Sequence, residues 1–249
     1  MNTSNPITLT ILLPCLNEAR TLGSCIAEAE IGLSRANLQG EVLVADNGST
    51  DGSALIAETA GARVTHVPER GYGAAIRAGV DAARGEIVVM ADADGSYDLT
   101  EILPLINLLE NGADMAIGNR FKGTIHPGAM PLLHRYLGTP VITSFGKALI
   151  GVPVGDFNSG IRAVRKSTFR ILRLESTGME LASEMLIKAH LAGLKIAEVP
   201  VTLRKDGRDR PPHLRPWRDA LRHLYQIAKL SPKANARRIR RLVTAPALR

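Results

Sequence analysis

The sequence predicts an α/β fold in which a mostly parallel β-sheet carries helices on both faces. Short apolar, β-branched segments alternate with amphipathic segments between residues 7 and 117. Polar motifs follow several of the apolar segments, at 14–18, 46–51 and 92–96. The chain has 249 residues and is 45% hydrophobic, which suffices to cover such a sheet on both sides.

The strands are predicted from short runs of apolar and β-branched residues, beginning with Ile7–Leu13. Similar runs predict strands at 42–45, 63–67, 86–91 and 114–117. Helical spacing of apolar residues predicts the intervening helices at 18–37, 53–60, 72–83 and 100–111. After Gly118 the pattern is less regular, with an apolar stretch at 132–154, a helix at 179–192 and a strand at 195–203.

Charge divides the chain into an acidic body and a basic C-terminal segment, within an overall net charge of +7. Residues 1–203 contain 17 Lys and Arg against 21 Asp and Glu, whereas residues 204–249 contain 14 Lys and Arg against three Asp. We therefore predict one domain over residues 7–204 and a basic extension over residues 205–249. An amphipathic helix is predicted at 217–230, whose apolar side either packs on the sheet or lies at a membrane interface.

Several classes of protein and site are excluded by composition and motif content. Two cysteines exclude a disulfide framework and a Cys-only metal site, and they fit a reducing compartment. We find no signal peptide and no apolar run of about 20 residues, so we expect a soluble body. Walker A, Gly-x-Ser-x-Gly and zinc-ligand patterns are missing. Nucleic-acid binding is not expected, because Trp217 and Tyr225 are the only aromatic residues in the basic segment.

Asp92 and Asp94 are the most informative pair of residues. They follow the strand predicted at 86–91, and two carboxylates one residue apart can reach a single Mg²⁺ or Mn²⁺ ion. A helix N-cap is the alternative explanation of the motif alone. Position favours a metal, because the polar turns at 14–18 and 46–51 follow other strands of the sheet, where parallel sheets bind ligands.

Two further motifs have both a structural and a ligand-binding interpretation. The turn at 46–51 fits a helix N-cap, but Asp46 at the end of its strand is also placed to bind a base or ribose. Gly71 and Gly73 lie at the start of the helix predicted at 72–83, without the GxGxxG spacing. They either cap this helix or allow its N-terminus to approach a phosphate.

Seven motifs in order resemble those of family 2 glycosyltransferases with a GT-A fold. The resemblance covers about residues 7–204 and is to the polyprenyl- or dolichyl-phosphate hexosyltransferases, of the mannosyl- or glucosyltransferase type. The motifs are Pro14-x-x-Asn17-Glu18, Asp46-Asn-Gly-Ser-x-Asp51, Gly71-Tyr-Gly-Ala-Ala75, Asp92-Ala-Asp94, Gly118-Asn-Arg120, Asn158-Ser-Gly-Ile-Arg162 and Glu198-Val-Pro-Val201.

The resemblance implies a nucleotide-sugar half at about 7–118 and an acceptor half at about 119–204. The residues that would bind the nucleotide sugar are Pro14, Leu16, Glu18, Asp46, Asn47, Gly71, Asp92 and Ala93. Asp92 and Asp94 would hold Mg²⁺ or Mn²⁺, and Ser96 stands where some relatives supply a third ligand. The residues implied in catalysis are Asp94, Arg120 and Arg135, the two arginines binding the acceptor phosphate. The sugar or acceptor side would be lined by Asp156, Asn158, Ser159, Glu184, Arg204 and Lys205, with the segment 204–208 closing over phosphates.

The reaction implied is metal-dependent, inverting transfer of a hexose from a GDP- or UDP-hexose to a polyprenyl phosphate. A phosphomonoester is already anionic near neutral pH, so it needs positioning and charge compensation but no strong general base. Two alternatives stay open. One is a family 2 transferase acting on a hydroxyl of a lipid or glycan, with Asp156 or Glu184 as the base. The other is a non-catalytic nucleotide-binding module at a membrane surface.

Two departures from the family pattern shape these expectations. Asn47 stands where a second acidic residue often follows Asp46. After a family-like segment at 210–218, the chain continues into the basic cluster Arg237–Arg241, where bacterial relatives often enter membrane spans. We therefore expect a cytoplasmic protein that contacts the cytoplasmic face of a membrane peripherally, through its basic tail.

Overall fold

The computed structural model describes residues 8–209 and 216–231, and its centre is a seven-stranded sheet. The strands are β1 (Leu9–Cys15), β2 (Gly40–Asp46), β3 (Arg63–His66), β4 (Ile87–Met90), β5 (Met115–Asn119), β6 (Arg162–Arg165) and β7 (Ile196–Pro200). Their order across the sheet is β3-β2-β1-β4-β6-β5-β7. Strand β6 runs antiparallel to β4 and β5, and the other neighbouring pairs are parallel. The mostly parallel sheet predicted from the sequence is therefore confirmed.

Eight α-helices lie within the described residues, joined to the sheet by mostly short loops. They are α1 (Ala19–Ala36), α2 (Ser53–Thr59), α3 (Tyr72–Ala82), α4 (Leu103–Glu110), α5 (Thr139–Ile150), α6 (Lys166–Ile171), α7 (Leu181–Leu191) and α8 (Pro216–Leu230). A 3₁₀ turn at Leu99–Glu101 precedes α4, and a π-helical turn at His134–Gly138 leads into α5. Pro104 stands in the first turn of α4, where its missing N–H is tolerated.

Helices cover both faces of the sheet, so the strands divide their side chains between two cores. In β1, Leu9, Ile11 and Leu13 pack with residues of α1 and α4. Leu12 points the other way and packs with residues of α3. This alternation follows from the two-residue period of a strand, and it explains why the buried strands read as continuous apolar runs. The predicted helices on both faces are confirmed.

The second half of the chain departs from the sequence-based prediction. The sequence does not predict β6, α5 or α6 as separate elements. Strand β6 begins and ends with an arginine, Arg162 and Arg165, which breaks the apolar pattern of a buried strand. Strand β7 ends at Pro200 rather than at 203, because Leu203 forms isolated bridges with Tyr97 and Ile125 instead.

Helix α8 covers the segment 217–230, for which the sequence predicts a helix, and it packs against α5 and α7. Its buried side carries Asp219, His223 and Ile227, and His223 Nδ1 lies 2.7 Å from Ser183 Oγ of α7. Leu221 and Tyr225 remain exposed. Within the described residues, no helix is long and apolar enough to cross a membrane. The basic cluster at 237–241 lies outside those residues.

We predict that His223 makes folding stability depend on pH. Burial lowers the pKa of this imidazole from 6.5 to about 4, so it is neutral in the folded protein and binds a proton more readily when unfolded. Its contribution is therefore fully present above about pH 6.5 and is lost as the pH falls towards 4. The free energy of unfolding should fall by about 2 kcal/mol from this group between pH 7 and pH 5.

Urea unfolding of the wild type and of His223→Gln at both pH values measures this contribution. Gln retains a hydrogen-bonding group opposite Ser183 but does not titrate. The variant should therefore lose less stability on acidification than the wild type. Equal losses in the two proteins would show that another group is responsible.

Candidate active site

Three polar loops meet at the carboxyl ends of β2, β1 and β4, which are neighbours in the sheet. Parallel pairing aligns Cys15 at the end of β1 with Asp46 at the end of β2. Asn47 N then donates to Cys15 O at 2.8 Å, and Thr21 Oγ1 donates to Ala93 O at 2.8 Å. The loops that follow β1, β2 and β4 are thus joined directly. The predicted nucleotide-binding residues Pro14, Leu16, Glu18, Asp46, Asn47, Asp92 and Ala93 lie in these loops or at the adjacent strand ends.

The turn after β2 holds the loop after β1 in place. Asn17 adopts the left-handed conformation with φ 57°, which Asn tolerates better than most residues. Its N–H donates to Ser49 Oγ at 2.8 Å, and its Oδ1 accepts from Thr50 N at 2.7 Å. Asp51 accepts from Ala19 N at the start of α1 and from Ser53 N at the start of α2. Residues 49–51 therefore have the structural role that their composition predicts.

Asp46 remains an anionic acceptor at the base of this edge. Burial by itself raises its pKa, but hydrogen bonds from Ser49 and His66 outweigh burial and lower the pKa below its usual range. The residue is 4% exposed, and its Oδ2 lies 3.4 Å from His66 Nδ1 of β3. A group in this position can accept hydrogen bonds from a base or ribose without changing its charge near neutral pH.

Asn47 and Gly71 are held by each other and by the loop after β3. Asn47 Nδ2 donates to the carbonyls of Val67 and Glu69 at 3.1 and 2.7 Å, and its Oδ1 accepts from Gly71 N at 2.7 Å. A Cβ on Gly71, which has φ 132°, would lie 2.1 Å from Thr177 O. Close packing of the start of α3 on the loop at 176–178 thus accounts for this glycine. A carboxylate at 47 has no hydrogens to donate to those carbonyls, which explains the departure from the family pattern.

Asp92 and Asp94 form a pair of carboxylates beyond β4. Burial and the charge of Asp94 raise the pKa of Asp92 to about 6. A Cβ on Gly160 would lie 2.1 Å from Asp92 Oδ2, so the motif at 158–160 packs directly over this carboxylate. Asp94 Oδ1 accepts from Ser96 N at 2.9 Å, which places Ser96 next to the pair. The arrangement is one of concentrated negative charge that a divalent cation would relieve.

The described residues contain no group of three or more His, Cys, Asp or Glu side chains placed to hold a metal ion. A cation at Asp92 and Asp94 would therefore take its remaining ligands from Ser96, from water or from a bound phosphate. Mg²⁺ commonly binds in this way, with one or two carboxylates plus substrate phosphates.

Arg208 brings a positive charge into the same place. Its Nη2 lies 2.7 Å from Asp94 Oδ2, and its Nε donates to Glu18 Oε1 at 3.0 Å. Burial opposes the charge of this guanidinium, but Asp94, Glu18 and Asp92 outweigh burial and raise its pKa. The segment 203–208 is held against the loop after β4, because Arg204 N donates to Ser96 O and Gly207 N donates to Asp94 O.

The other basic residues of this segment have different surroundings. Arg204 pairs with Glu28 of α1 and with Asp98. These ion pairs compensate its charge and hold the segment 203–208 in place. Lys205 is exposed to solvent. Arg208, rather than Arg204 or Lys205, is the residue of this segment that touches the carboxylate pair. Spacing in the sequence offered no signal for this, since Glu18 and Arg208 are 190 residues apart.

Arg120, which follows β5, and Asp156 form a buried, bidentate ion pair. Arg120 Nε and Nη2 donate to the two oxygens of Asp156 at 2.7 and 2.8 Å, and the Asp156 side chain is fully buried. Glu198 fixes the loops on both sides of the pair by accepting from Asn119 Nδ2 and Gly155 N. Arg135 lies on the π-helical turn before α5, with its guanidinium 5.6 Å from the centre of the Tyr136 ring.

Glu184, which the sequence analysis places on the sugar or acceptor side, is buried in α7. It accepts from the backbone N–H groups of Glu175 and Ser176 and pairs with Lys188 Nζ at 2.6 Å. Burial by itself raises its pKa, but the hydrogen bonds from Lys188 and Ser176 outweigh burial and lower it. The carboxylate therefore holds the loop before α7 in its conformation.

The loop at 157–160 is positioned by Tyr97 and Arg162, neither of which is a predicted site residue, although Arg162 ends the motif at 158–162. Arg162 is 3% exposed, and its guanidinium donates to the carbonyls of Phe157, Ser159 and Ala182. Tyr97 Oη accepts from Gly160 N at 2.8 Å. Asn158 Oδ1 in this loop is buried and has no hydrogen-bond partner among the described residues. In the sequence, a role at the site is indicated only by their closeness to motif residues, since Tyr97 follows Asp94 by three residues and Arg162 follows Gly160 by two.

Comparison with known proteins gives the family context of this site. A family model described as "Glycosyl transferase family 2" matches residues 10–172. The low-salt glycan biosynthesis hexosyltransferase Agl6 of Haloferax volcanii is 38% identical over 218 residues, which are 87% of this chain and 52% of Agl6. The chain thus spans about half the length of that relative. The dolichyl-phosphate hexose transferase of the same organism is 34% identical over 200 residues, with 79% of this chain and 83% of the relative covered.

A solved structure of glucosyl-3-phosphoglycerate synthase from Mycobacterium tuberculosis has the same fold. That protein was crystallised with Mn²⁺, UDP and glucosyl-3-phosphoglycerate. The two structures superpose with a TM-score of 0.66 at 23% identity, over 92% of this chain and 80% of the other. The GT-A fold expected from the sequence is confirmed.

We predict that the Arg120–Asp156 pair contributes strongly to stability. Asp156→Asn leaves a buried guanidinium without its counter-ion, and breaking a buried pair in this way costs about 3–5 kcal/mol. Urea unfolding measures the loss. Glu86→Gln is a matched control, because it breaks the exposed Arg165–Glu86 pair and should cost at most about 1 kcal/mol. Similar losses in the two variants would contradict the prediction.

Proposed function

The chain belongs to glycosyl transferase family 2, and from this premise we propose that it transfers a hexose from a nucleotide sugar to a polyprenyl phosphate with inversion. The proposal rests first on the state of the acceptor-side carboxylates. The relative named dolichyl-phosphate hexose transferase supports the same class of acceptor. Both supports concern the acceptor and leave the identity of the hexose open.

The carboxylates that a hydroxyl acceptor would need as a base are already engaged. Both oxygens of Asp156 accept from Arg120, and both oxygens of Glu184 accept from backbone N–H groups or Lys188. Both side chains are almost completely buried. A general base must reach the proton it removes, and neither group offers an open lone pair to an acceptor. A phosphomonoester is anionic without such help, so this acceptor fits the site better.

On the donor side, we propose that Asp92 and Asp94 hold Mg²⁺ or Mn²⁺, with Ser96 beside them. The carboxylate donors are those that hard cations prefer, and burial and the charge of Asp94 raise the pKa of Asp92, although Arg208 and a hydrogen bond with Tyr72 partly oppose that rise. A bound cation would neutralise the departing nucleoside diphosphate. The Mn²⁺ and UDP of the glucosyl-3-phosphoglycerate synthase complex support this class of ligand. Asp46 would accept hydrogen bonds from the nucleoside, and Asn158 Oδ1 from a sugar hydroxyl.

Arg208 links the state of the donor site to the segment 203–208. Both oxygens of Asp94 are occupied, one by Ser96 N and the other by Arg208. We propose that cation binding at Asp94 displaces the guanidinium, which then pairs with a donor phosphate. Arginine suits this exchange, since its planar guanidinium binds carboxylates and phosphates in the same bidentate geometry.

The reaction is tested by supplying GDP- and UDP-hexoses with Mn²⁺ and either a polyprenyl phosphate or the polyprenol of the same length. We expect a glycosylated phospholipid only with the phosphate, because the polyprenol hydroxyl finds no base. Asp94→Asn should lower the rate by about a hundredfold or more, since the cation stabilises the leaving diphosphate. Transfer to the polyprenol alone would refute the proposed acceptor.

Mn²⁺ binding without nucleotide tests the role of Arg208. Arg208→Gln removes the competing cation, so Mn²⁺ measured by electron paramagnetic resonance should bind about tenfold more tightly, whereas UDP should bind more weakly. Lys205→Gln changes the charge of the same segment equally but leaves Asp94 untouched, so it should not alter Mn²⁺ affinity. Unchanged Mn²⁺ affinity in Arg208→Gln would rule out the competition.

A further inference from the structure

Five large apolar side chains are exposed within ten residues at the start of α5. We call Leu132, Leu133, Tyr136, Leu137 and Val141 the apolar shoulder, and their exposed fractions are 73, 45, 69, 52 and 44%. Single exposed apolar residues are normal on a protein surface, but a contiguous group of them marks an interaction site. Most other large exposed apolar side chains among the described residues, such as Leu55 and Ile171, stand alone.

The opposite side of the same helix is fully packed. Thr139, Ile142 and Gly146 are buried, and a Cβ on Gly146 would lie 2.4 Å from the ring of Phe157. Phe157 is fully buried next to Asp156. Rotating α5 to bury the shoulder would pull this side away from Phe157 and disturb the Arg120–Asp156 pair. The shoulder is therefore exposed as a consequence of how α5 supports the site.

Charge around the shoulder selects the kind of partner. The chain has no Asp or Glu between Lys122 and Asp156, whereas Arg135 and Lys147 fall within this stretch. Helix α8, which packs against α5, also exposes a row of apolar and basic side chains. This row consists of Arg218, Leu221, Arg222, Tyr225 and Lys229. Asp219, the single acidic residue of α8, is on the buried side.

Exposed apolar side chains interspersed with basic residues are typical of helices that lie in an anionic lipid interface. One acidic residue, Glu180, lies next to Arg222 of α8, since a Cβ on Gly178 would lie 2.4 Å from Glu180 Oε2 and 3.1 Å from Arg222 Nη1. The apolar groups enter the boundary between headgroups and acyl chains, and each basic residue gains attraction to the surface. A protein partner of ordinary composition would offer both signs of charge at its rim.

We propose that the apolar shoulder, with the exposed row of α8 beside it, docks this protein on an anionic lipid surface. The inference stands on exposed side chains and on charge, independently of the transfer reaction. It moves the membrane contact expected for the basic tail onto the folded domain. Docking here would bring Arg135, which belongs to the same turn as Tyr136 and Leu137, to the level of the lipid headgroups.

Co-sedimentation of the full chain with vesicles tests the proposal. Vesicles of phosphatidylglycerol and phosphatidylcholine should bind the wild type, and phosphatidylcholine alone should bind it more weakly. Leu132→Ser with Leu137→Ser should weaken binding to the anionic vesicles by about tenfold or more, because two inserting side chains are lost. Leu55→Ser with Ile171→Ser removes two equally exposed apolar residues elsewhere and should bind like the wild type.

Two results would overturn the proposal. One is wild-type vesicle binding by the shoulder variant. The other is a shoulder variant that differs only in self-association, measured by sedimentation velocity without lipid, since that would identify a second copy of the chain as the partner. Thermal unfolding of all variants confirms that each is folded. No donor or acceptor is present, so vesicle binding and the proposed transfer reaction can fail separately.

Discussion

Parallel pairing of β1 with β2 on one side and β4 on the other is the constraint on which the site depends. It brings the loops after β1, β2 and β4 to one edge of the sheet. Asp46, Glu18, Asp92 and Asp94 lie at this edge. Buried carboxylates so close together are costly unless positive charge or hydrogen-bond donors compensate them. The rest of the architecture can be understood as the means by which this chain supplies that compensation.

Compensation comes largely from the C-terminal half. Arg208 reaches back across the sheet edge to Glu18 and Asp94. Arg162 starts the antiparallel strand β6, and its position next to β4 carries the loop at 157–160 over Asp92. Strand β6 therefore does more than extend the sheet, because it brings the loop at 157–160 into contact with Asp92 beyond β4. The charge of Arg120 is compensated by Asp156, which also belongs to the C-terminal half. Arg120 therefore contributes to the site through its position and not through a free charge.

The sequence predicted the first half of the fold well, since each strand there is a short apolar run and each helix is amphipathic. It failed where burial is achieved by unusual residues. Arginine usually lies at the surface, yet the guanidinium of Arg162 is buried and donates hydrogen bonds to three carbonyls. Motif recognition located the carboxylates, but the pairing of Arg208 with Asp94 depends on a chain reversal that no local pattern encodes. Asn47 is understood only when the carbonyls of Val67 and Glu69 are seen beside it.

The carboxylates of the site differ in how fully hydrogen-bond donors and positive charges of the protein compensate their negative charge. Hydrogen-bond donors surround Asp46 and Glu184 and lower the pKa of each despite burial. Burial and the charge of Asp94 raise the pKa of Asp92, although Arg208 and a hydrogen bond with Tyr72 partly oppose that rise. A chain selected for stability alone would replace one member of such a pair, since local rules are broken mainly at functional sites. Asp92 and Asp94 can be retained together if a ligand supplies positive charge when it binds. Arg208 then compensates the negative charge of Asp94 until the ligand binds.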